Sequence, residues 1–136
     1  MQLNPYLLFN GQCEAAFKFY ERVLGGKIVM MLTHRGTPAA EHTPPEWLDK
    51  IIHARMMVGE VALMASDAPP GRFEATKGTH VHLGVGDPAE AERIFRALAE
   101  KGTVNMPIQE TFWAARFGML VDQFGIPWMI NCEKAA

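Results

Sequence analysis

The stretch GTHVHLGV, residues 78–85, places His80 and His82 one residue apart inside an apolar run. On an extended strand, residues two apart share a face and lie about 6.5 to 7 Å from one another along it. Two imidazoles so placed could both ligate a borderline divalent ion, which asks for three or more nitrogen, oxygen or sulfur donors. The same spacing serves a polar pair that lines a pocket or faces water. Only donors converging from elsewhere would decide for a metal, and Glu110 and Asn131 are the conceivable additions. Cys13 and Cys132 are far apart with no Cys-x-x-Cys between them, so neither a zinc knuckle nor a redox pair is expected.

Other residues could shape a binding site. Gln109 and Glu110 form a polar pair beside Phe112 and Trp113, which sit in a short aromatic connection rather than on a periodic face. These aromatics read as a pocket wall or dimer contact, or as a loop anchor filling the core. Trp128 and Met129 alternate, so one faces a cavity and the other faces the helices. Cys13 opens a helix, where a thiolate is favoured, yet no His is near it in sequence, and a buried structural thiol is the simpler reading. His34, Arg35, His42 and Trp47 occupy a long polar loop, a length that goes with a lid, a dimer contact or plain solvation. Asp122 most simply caps its own turn.

The elements that would position these residues follow from hydrophobic period. Strands are predicted over 3–9, 27–32, 51–58 and 61–65. Between the first two, Ala16, Phe19, Tyr20 and Val23 fall at i, i+3, i+4 and i+7, the stripe of a helix that Gly25-Gly26 stops. Thr43-Pro44-Pro45-Glu46 has the character of one short helical turn, and Gly59-Glu60 suits a hairpin. The pattern then restarts. A strand is predicted over 80–85, followed by Asp87-Pro88-Ala89-Glu90 as an N-cap, N1 and N3 signature. Ala91, Ile94, Phe95 and Leu98 carry the second helical stripe, closed by Gly102. Strands over 103–109, 117–121 and 127–132 complete the chain.

The two stripes superpose at an offset of 75 residues: Ala16 on Ala91, Phe19 on Ile94, Tyr20 on Phe95 and Val23 on Leu98. The chain therefore reads as two copies of one βαβββ unit, about 1–68 and about 78–134, within a single domain. The fold class is α+β: two tandem modules forming a curved mixed sheet around a cavity, where small ligands bind. His80, His82, Met64, Met129, Gln109, Trp113, Asn131 and Phe9 are the residues expected to line it.

Bulk properties narrow the classes of function. The chain has 136 residues, enough for one core, and 49% apolar with 21% charged residues is ordinary for a globular protein. A net charge of −2 argues against nucleic acid or an anionic membrane surface as a partner. No apolar run reaches the roughly 18 residues of a membrane span. The start, MQLNPYLLFNG, lacks the basic and apolar regions of an export leader. A reducing, cytoplasmic location is expected. Nine methionines suit an adaptable pocket lining as well as a core.

Three stretches carry a sharper signal: PYLLFNGQCEAAFKFYERVLGGKI, VALMASDAPPG and QETFWAARFGMLVDQFGIPWMIN. With the tandem βαβββ repeat, they resemble the vicinal oxygen chelate superfamily of glyoxalase I, bleomycin-resistance proteins and extradiol dioxygenases. Within it they look like the PhnB-like branch, often labelled 3-demethylubiquinone-9 3-methyltransferase-like. No Gly-rich strand-to-helix motif that would hold an S-adenosyl group accompanies that label here. The resemblance implies pairing of modules between chains, hence a homodimer. It also implies a divalent metal held by residues on the first, fourth, fifth and eighth strands. Those positions fall here on Pro5, on Leu63 or Met64, on His80 and on Met129. His80 alone is a ligand of the usual kind, since a thioether binds zinc, nickel or iron(II) poorly in water.

The expected function is thus that of a metal-independent pocket protein for a small molecule, with no cofactor and with reaction and substrate open. Two alternatives stand beside it. One is a divalent-metal-dependent lyase, isomerase or dioxygenase using His80 with rearranged ligands. The other is a non-catalytic binding or sequestering dimer.

Overall fold

A computed structural model describes residues 1–135. The first unit, Met1–Glu74, runs β1 (Tyr6–Phe9), α1 (Cys13–Leu24), β2 (Lys27–Thr33), β3 (Ile51–Val58) and β4 (Val61–Asp67). The second begins at Ala75 and repeats the order with β5 (Val81–Gly84), α2 (Pro88–Ala99), β6 (Thr103–Gln109), β7 (Ala114–Val121) and β8 (Pro127–Glu133). The tandem βαβββ organisation is therefore present. Hydrogen bonding groups the strands into two sheets of four, ordered β1-β4-β3-β2 and β5-β8-β7-β6. Each ladder ends at its own module's first and second strands, so the repeat unit is also the pairing unit.

Both helices form where the apolar stripe predicts. α1 buries Ala16, Phe19, Tyr20 and Val23, and adds Cys13 and Phe17. Against them the first sheet turns Leu7, Phe9, Ala54, Met56, Leu63 and Ala65, all buried. Each large side chain so buried contributes about 1.5–3 kcal/mol. Gly25 ends α1 at φ 71°, its amide donating to the Glu21 carbonyl at 3.1 Å. The Asp67 carboxylate ties three elements: it accepts from the Cys13 amide that opens α1 (3.0 Å) and from the Ile51 amide that opens β3 (2.9 Å).

In the second unit Asp87 caps α2, accepting from the Glu90 amide at 3.1 Å, and Ala91, Ile94, Phe95 and Leu98 are buried. Lys101 takes the left-handed turn at φ 59°. Gly102 is required for a different reason: a Cβ there would overlap the Val121 carbonyl.

Strand ends differ from the sequence reading. β1 starts at Tyr6 and β5 at Val81, later than predicted, because each has a single partner strand and its first residues lie beyond the ladder. β7 starts at Ala114, earlier than predicted. Ala114-Ala115-Arg116 has weak strand propensity, but β8 pairs with it as far as Glu133. The loop between β2 and β3 carries the short turn predicted at its proline pair (Pro45–Trp47) and a second 3-10 turn at Pro38–His42. Among the described residues, no helix is long and apolar enough to cross a membrane.

Candidate functional site

Each sheet has one face under its helix and one face open. On the second sheet the helix side takes Trp128, Ile130 and Cys132 from β8, all nearly fully buried. Alternation therefore turns Met129 and Asn131 to the open face, as the sequence predicts for Met129. Strand pairing then fixes two rows across that face. One is Met106, Met119, Met129 and His82; the other is Gln109, Phe117, Asn131 and Gly84. Trp113 stands edge-on to Phe117, with ring centroids 5.4 Å apart, and Phe112 packs edge-on to Trp113 at 4.8 Å. Of the residues expected to line a pocket, five thus share one surface: His82, Met129, Gln109, Asn131 and Trp113.

The electrostatics of this surface centre on Asn131. Its side-chain oxygen is buried and has no hydrogen-bond partner, a state that costs about 1–3 kcal/mol unless a donor arrives. A cleft of about 400 Å³ opens beside it, lined by His82, Gly84, Gly86, Asn131, Glu133 and Lys134 among others. That volume suits a small organic molecule. His80 lies just before β5 and is half-buried. Glu110 is exposed and approaches Lys134, a residue of the cleft wall, at 3.8 Å.

The remaining two expected residues belong to the first unit. Met64 pairs with Tyr6 on one side and Arg55 on the other, on the open face of the first sheet. This settles the fourth-strand register: Leu63 is buried toward α1, and Met64 is the open-face residue. Phe9 is a correction. It is 1% exposed, packed on the helix side with Leu7, because the fully buried parity of β1 is the one next to α1. Tyr6 and Leu8 occupy the open side instead.

The sequence reading missed Arg55, His53 and Tyr6 on that first open face. The Tyr6 hydroxyl lies 3.3 Å from His53 Nδ1, with the rings stacked 5.8 Å apart. The signal was the alternation His53, Arg55, Met57 in β3. Cys13 is fully buried, and burial, then the charges of Asp67 and Glu14, push its thiol far above the ordinary value. The helix start therefore does not yield a reactive thiolate.

Residues 2–130 match the family model described as Glyoxalase/Bleomycin resistance protein/Dioxygenase superfamily. The chain belongs to this superfamily. Protein YjdN of Escherichia coli (strain K12) is 37% identical, over 98% of this chain and 97% of its own length. The crystal structure of protein PA1353 from Pseudomonas aeruginosa is 51% identical with a TM-score of 0.91, covering 99% of both chains. The fold also matches that of a Bacillus cereus protein titled putative 3-demethylubiquinone-9 3-methyltransferase, PhnB protein, at TM-score 0.82 and 22% identity, over 97% of this chain and 99% of that one.

Members of the superfamily commonly hold a divalent metal, and the donors here do not fit one. Of the expected positions, Pro5 offers no donor, Met64 and Met129 offer thioethers, and His80 offers one imidazole. Among the described residues no three His, Cys, Asp or Glu side chains come together. The second-sheet face instead presents thioethers, aromatic rings, one imidazole and two amides. Such a set can bind a small molecule through apolar contact and directed hydrogen bonds.

Proposed function

We propose that this superfamily member binds a small organic molecule on the open face of its second sheet, without the four-ligand metal site common among its relatives. The observation that carries the reading is the buried, unpartnered Asn131 oxygen beside His82 in a cleft of about 400 Å³. A ligand hydrogen-bond donor would satisfy that oxygen, and the imidazole would supply a second polar contact. A ligand reaching out of the cleft along the open face would lay its apolar part on Met129 and Phe117, the strand-pair neighbours of His82 and Asn131. Polar groups so placed fix orientation, while the apolar surface contributes most of the affinity. The protein is proposed to act in the cytoplasm as a homodimer. Phe112 is 89% exposed and Trp113 48% exposed, and aromatic pairs of this kind are enriched at subunit interfaces.

The test is a ligand screen by protein-observed NMR on chelator-treated protein, with metal content and sedimentation measured in parallel. Saturable binding by a small metabolite, lost in Asn131→Leu and weakened in His82→Ala, is the expected result. Stoichiometric zinc, nickel or iron that survives purification, disappears in His80→Ala and is needed for binding would overturn the metal-independent reading. A monomer at all concentrations would remove the dimer.

A further inference from the structure

Arg55 sits in the middle of the first sheet's open face and forms no ion pair with any described residue. β3 is a central strand, so the side chain is flanked across the sheet by Met64 on β4 and Met30 on β2. His53 and Met57 flank it along its own strand. Its Nη2 donates to the Met64 sulfur at 3.6 Å, a weak acceptor. Its Nε is buried without a partner. Among the described residues no carboxylate forms an ion pair with it. Glu60 lines the same cleft but makes no such pair.

A guanidinium stays charged at any pH the protein meets. Removing it from water without an opposite charge is costly. Its planar fork matches a carboxylate through two parallel hydrogen bonds. The space beside it is a cleft of about 290 Å³, lined by Gln2, Asn4, Arg55, Met57 and Glu60 among others. Around it Met30 and Leu32 are exposed, so an apolar margin adjoins a cleft that holds Arg55, two amides and the Glu60 carboxylate.

We propose that the open face of the first sheet binds a small apolar carboxylic acid, its carboxylate held by Arg55 and its body lying on the surrounding methionines. The size of the cleft and the unmatched charge point to a small anion. A singly charged carboxylate serves better than a phosphate dianion because Arg55 is the one cation among the cleft residues and the Glu60 carboxylate lines the same cleft.

The experiment is calorimetric titration of the full chain with phenylacetate, with 2-phenylacetamide as its neutral counterpart and with inorganic phosphate. Two variants, Arg55→Met and Arg55→Lys, are titrated alongside. Wild type should prefer phenylacetate over the amide by about tenfold, in line with a charge-assisted pair. Arg55→Met should bring that preference close to one while leaving affinity for the amide intact, and Arg55→Lys should keep part of it. Backbone amides of Tyr6, His53 and Met64 should shift in NMR spectra of wild type on phenylacetate addition, a readout that needs no variant to fold. Equal affinity for acid and amide, a preference that persists in Arg55→Met, or phosphate binding as tightly as phenylacetate would each overturn the proposal. So would shifts confined to Phe117 and Asn131, which would leave the second-sheet reading standing. Loss of a wild-type dimer in Arg55→Met, with wild type indifferent to phenylacetate, would assign the guanidinium to a second copy of the chain and overturn it too.

Discussion

The Trp128 indole donates its Nε1 hydrogen to the Asp122 carboxylate at 2.9 Å, with both side chains buried. The other carboxylate oxygen accepts from the amides of Phe124 (2.8 Å) and Ile126 (3.0 Å). One acid thus shapes the turn between β7 and β8 and pins the tryptophan to the helix side of β8. Strand alternation then leaves Met129 and Asn131 on the open face. The position of the candidate site is set from behind, by a buried hydrogen bond.

Removing that acid should therefore be expensive. Asp122→Ala removes the acceptor of the Phe124 and Ile126 amides and of the buried indole N–H, so equilibrium urea unfolding should show a loss of about 2–4 kcal/mol. Trp128→Phe should cost about 1–3 kcal/mol by removing one hydrogen bond from a buried carboxylate. The double variant should lose less than the sum, because the two residues share one interaction. Strict additivity would show that the pair does not act as a unit.

Two glycines of the second sheet, on β7 and β5 with β8 between them, should respond in opposite ways. A Cβ at Gly118 would overlap the Phe95 ring of α2 and press on Ile108 at 3.0 Å. Gly118→Ala should thus cost about 1–3 kcal/mol through overpacking. At Gly84 the nearest atom to an added Cβ is His82 Cε1, at an ordinary 3.8 Å. Gly84→Ala should leave stability within about 1 kcal/mol of wild type, or raise it, since alanine suits a strand better than glycine does. Thermal unfolding of both variants reads the contrast.

Much of the fold was legible because it rests on period and punctuation. The stripes of Ala16 to Val23 and Ala91 to Leu98 dictate both helices, and Asp87 caps α2 through the bond its spacing predicts. Parity was legible where one partner is unmistakably core, as with Trp128 against Met129. It failed at Phe9, because Tyr6, Leu7, Leu8 and Phe9 are all apolar or aromatic. Alternation in such a run carries no sign until β4 and α1 supply neighbours. Arg55 was hidden for a related reason: within IIHARMMV it reads as one polar residue in an apolar strand. Only pairing with Met64 and Met30 reveals a lone cation among thioethers. The Asn131 oxygen was out of reach altogether, since an unmet hydrogen bond is a property of three-dimensional surroundings.

The raised thiol of Cys13 makes a prediction about pH. Its ordinary value is 9.0, and burial lifts the folded value well above that. The neutral thiol is therefore favoured in the folded protein. Its contribution to stability is complete below pH 9.0 and is lost as pH rises beyond that value. Urea midpoints measured from pH 8 upward should fall in wild type more steeply than in Cys13→Ala. In a Cys132→Ser background, the single thiol should resist Ellman's reagent at pH 8 and react promptly once urea unfolds the chain. Rapid labelling of the folded protein would show that Cys13 is accessible.

The loop between β2 and β3 is strapped down rather than free, and Trp47 is the buckle. Its Nε1 donates to the Ala68 carbonyl at 3.2 Å, and the Lys50 ammonium lies 5.9 Å from its ring centroid. That ammonium also donates to the Gly11 carbonyl at 3.0 Å. At the base of the loop, the His34 and Arg35 amides donate to the carbonyls of Lys50 (3.3 Å) and Leu48 (2.9 Å). A cleft of about 470 Å³ survives under the strap, lined by His34, His42, Trp47, Ile52 and Pro69 among others. Trp47→Ala should loosen the segment without unfolding β3. Hydrogen exchange at the Arg35 amide should quicken by about tenfold or more, while the amides of Ala54 and Met56 keep their protection. Limited proteolysis should find a new cut between residues 36 and 46. Trp47→Phe keeps the ring and loses the hydrogen bond, so its exchange rate should fall between the two. Unchanged exchange at Arg35 in Trp47→Ala would mean that the backbone contacts at the base of the loop hold it unaided.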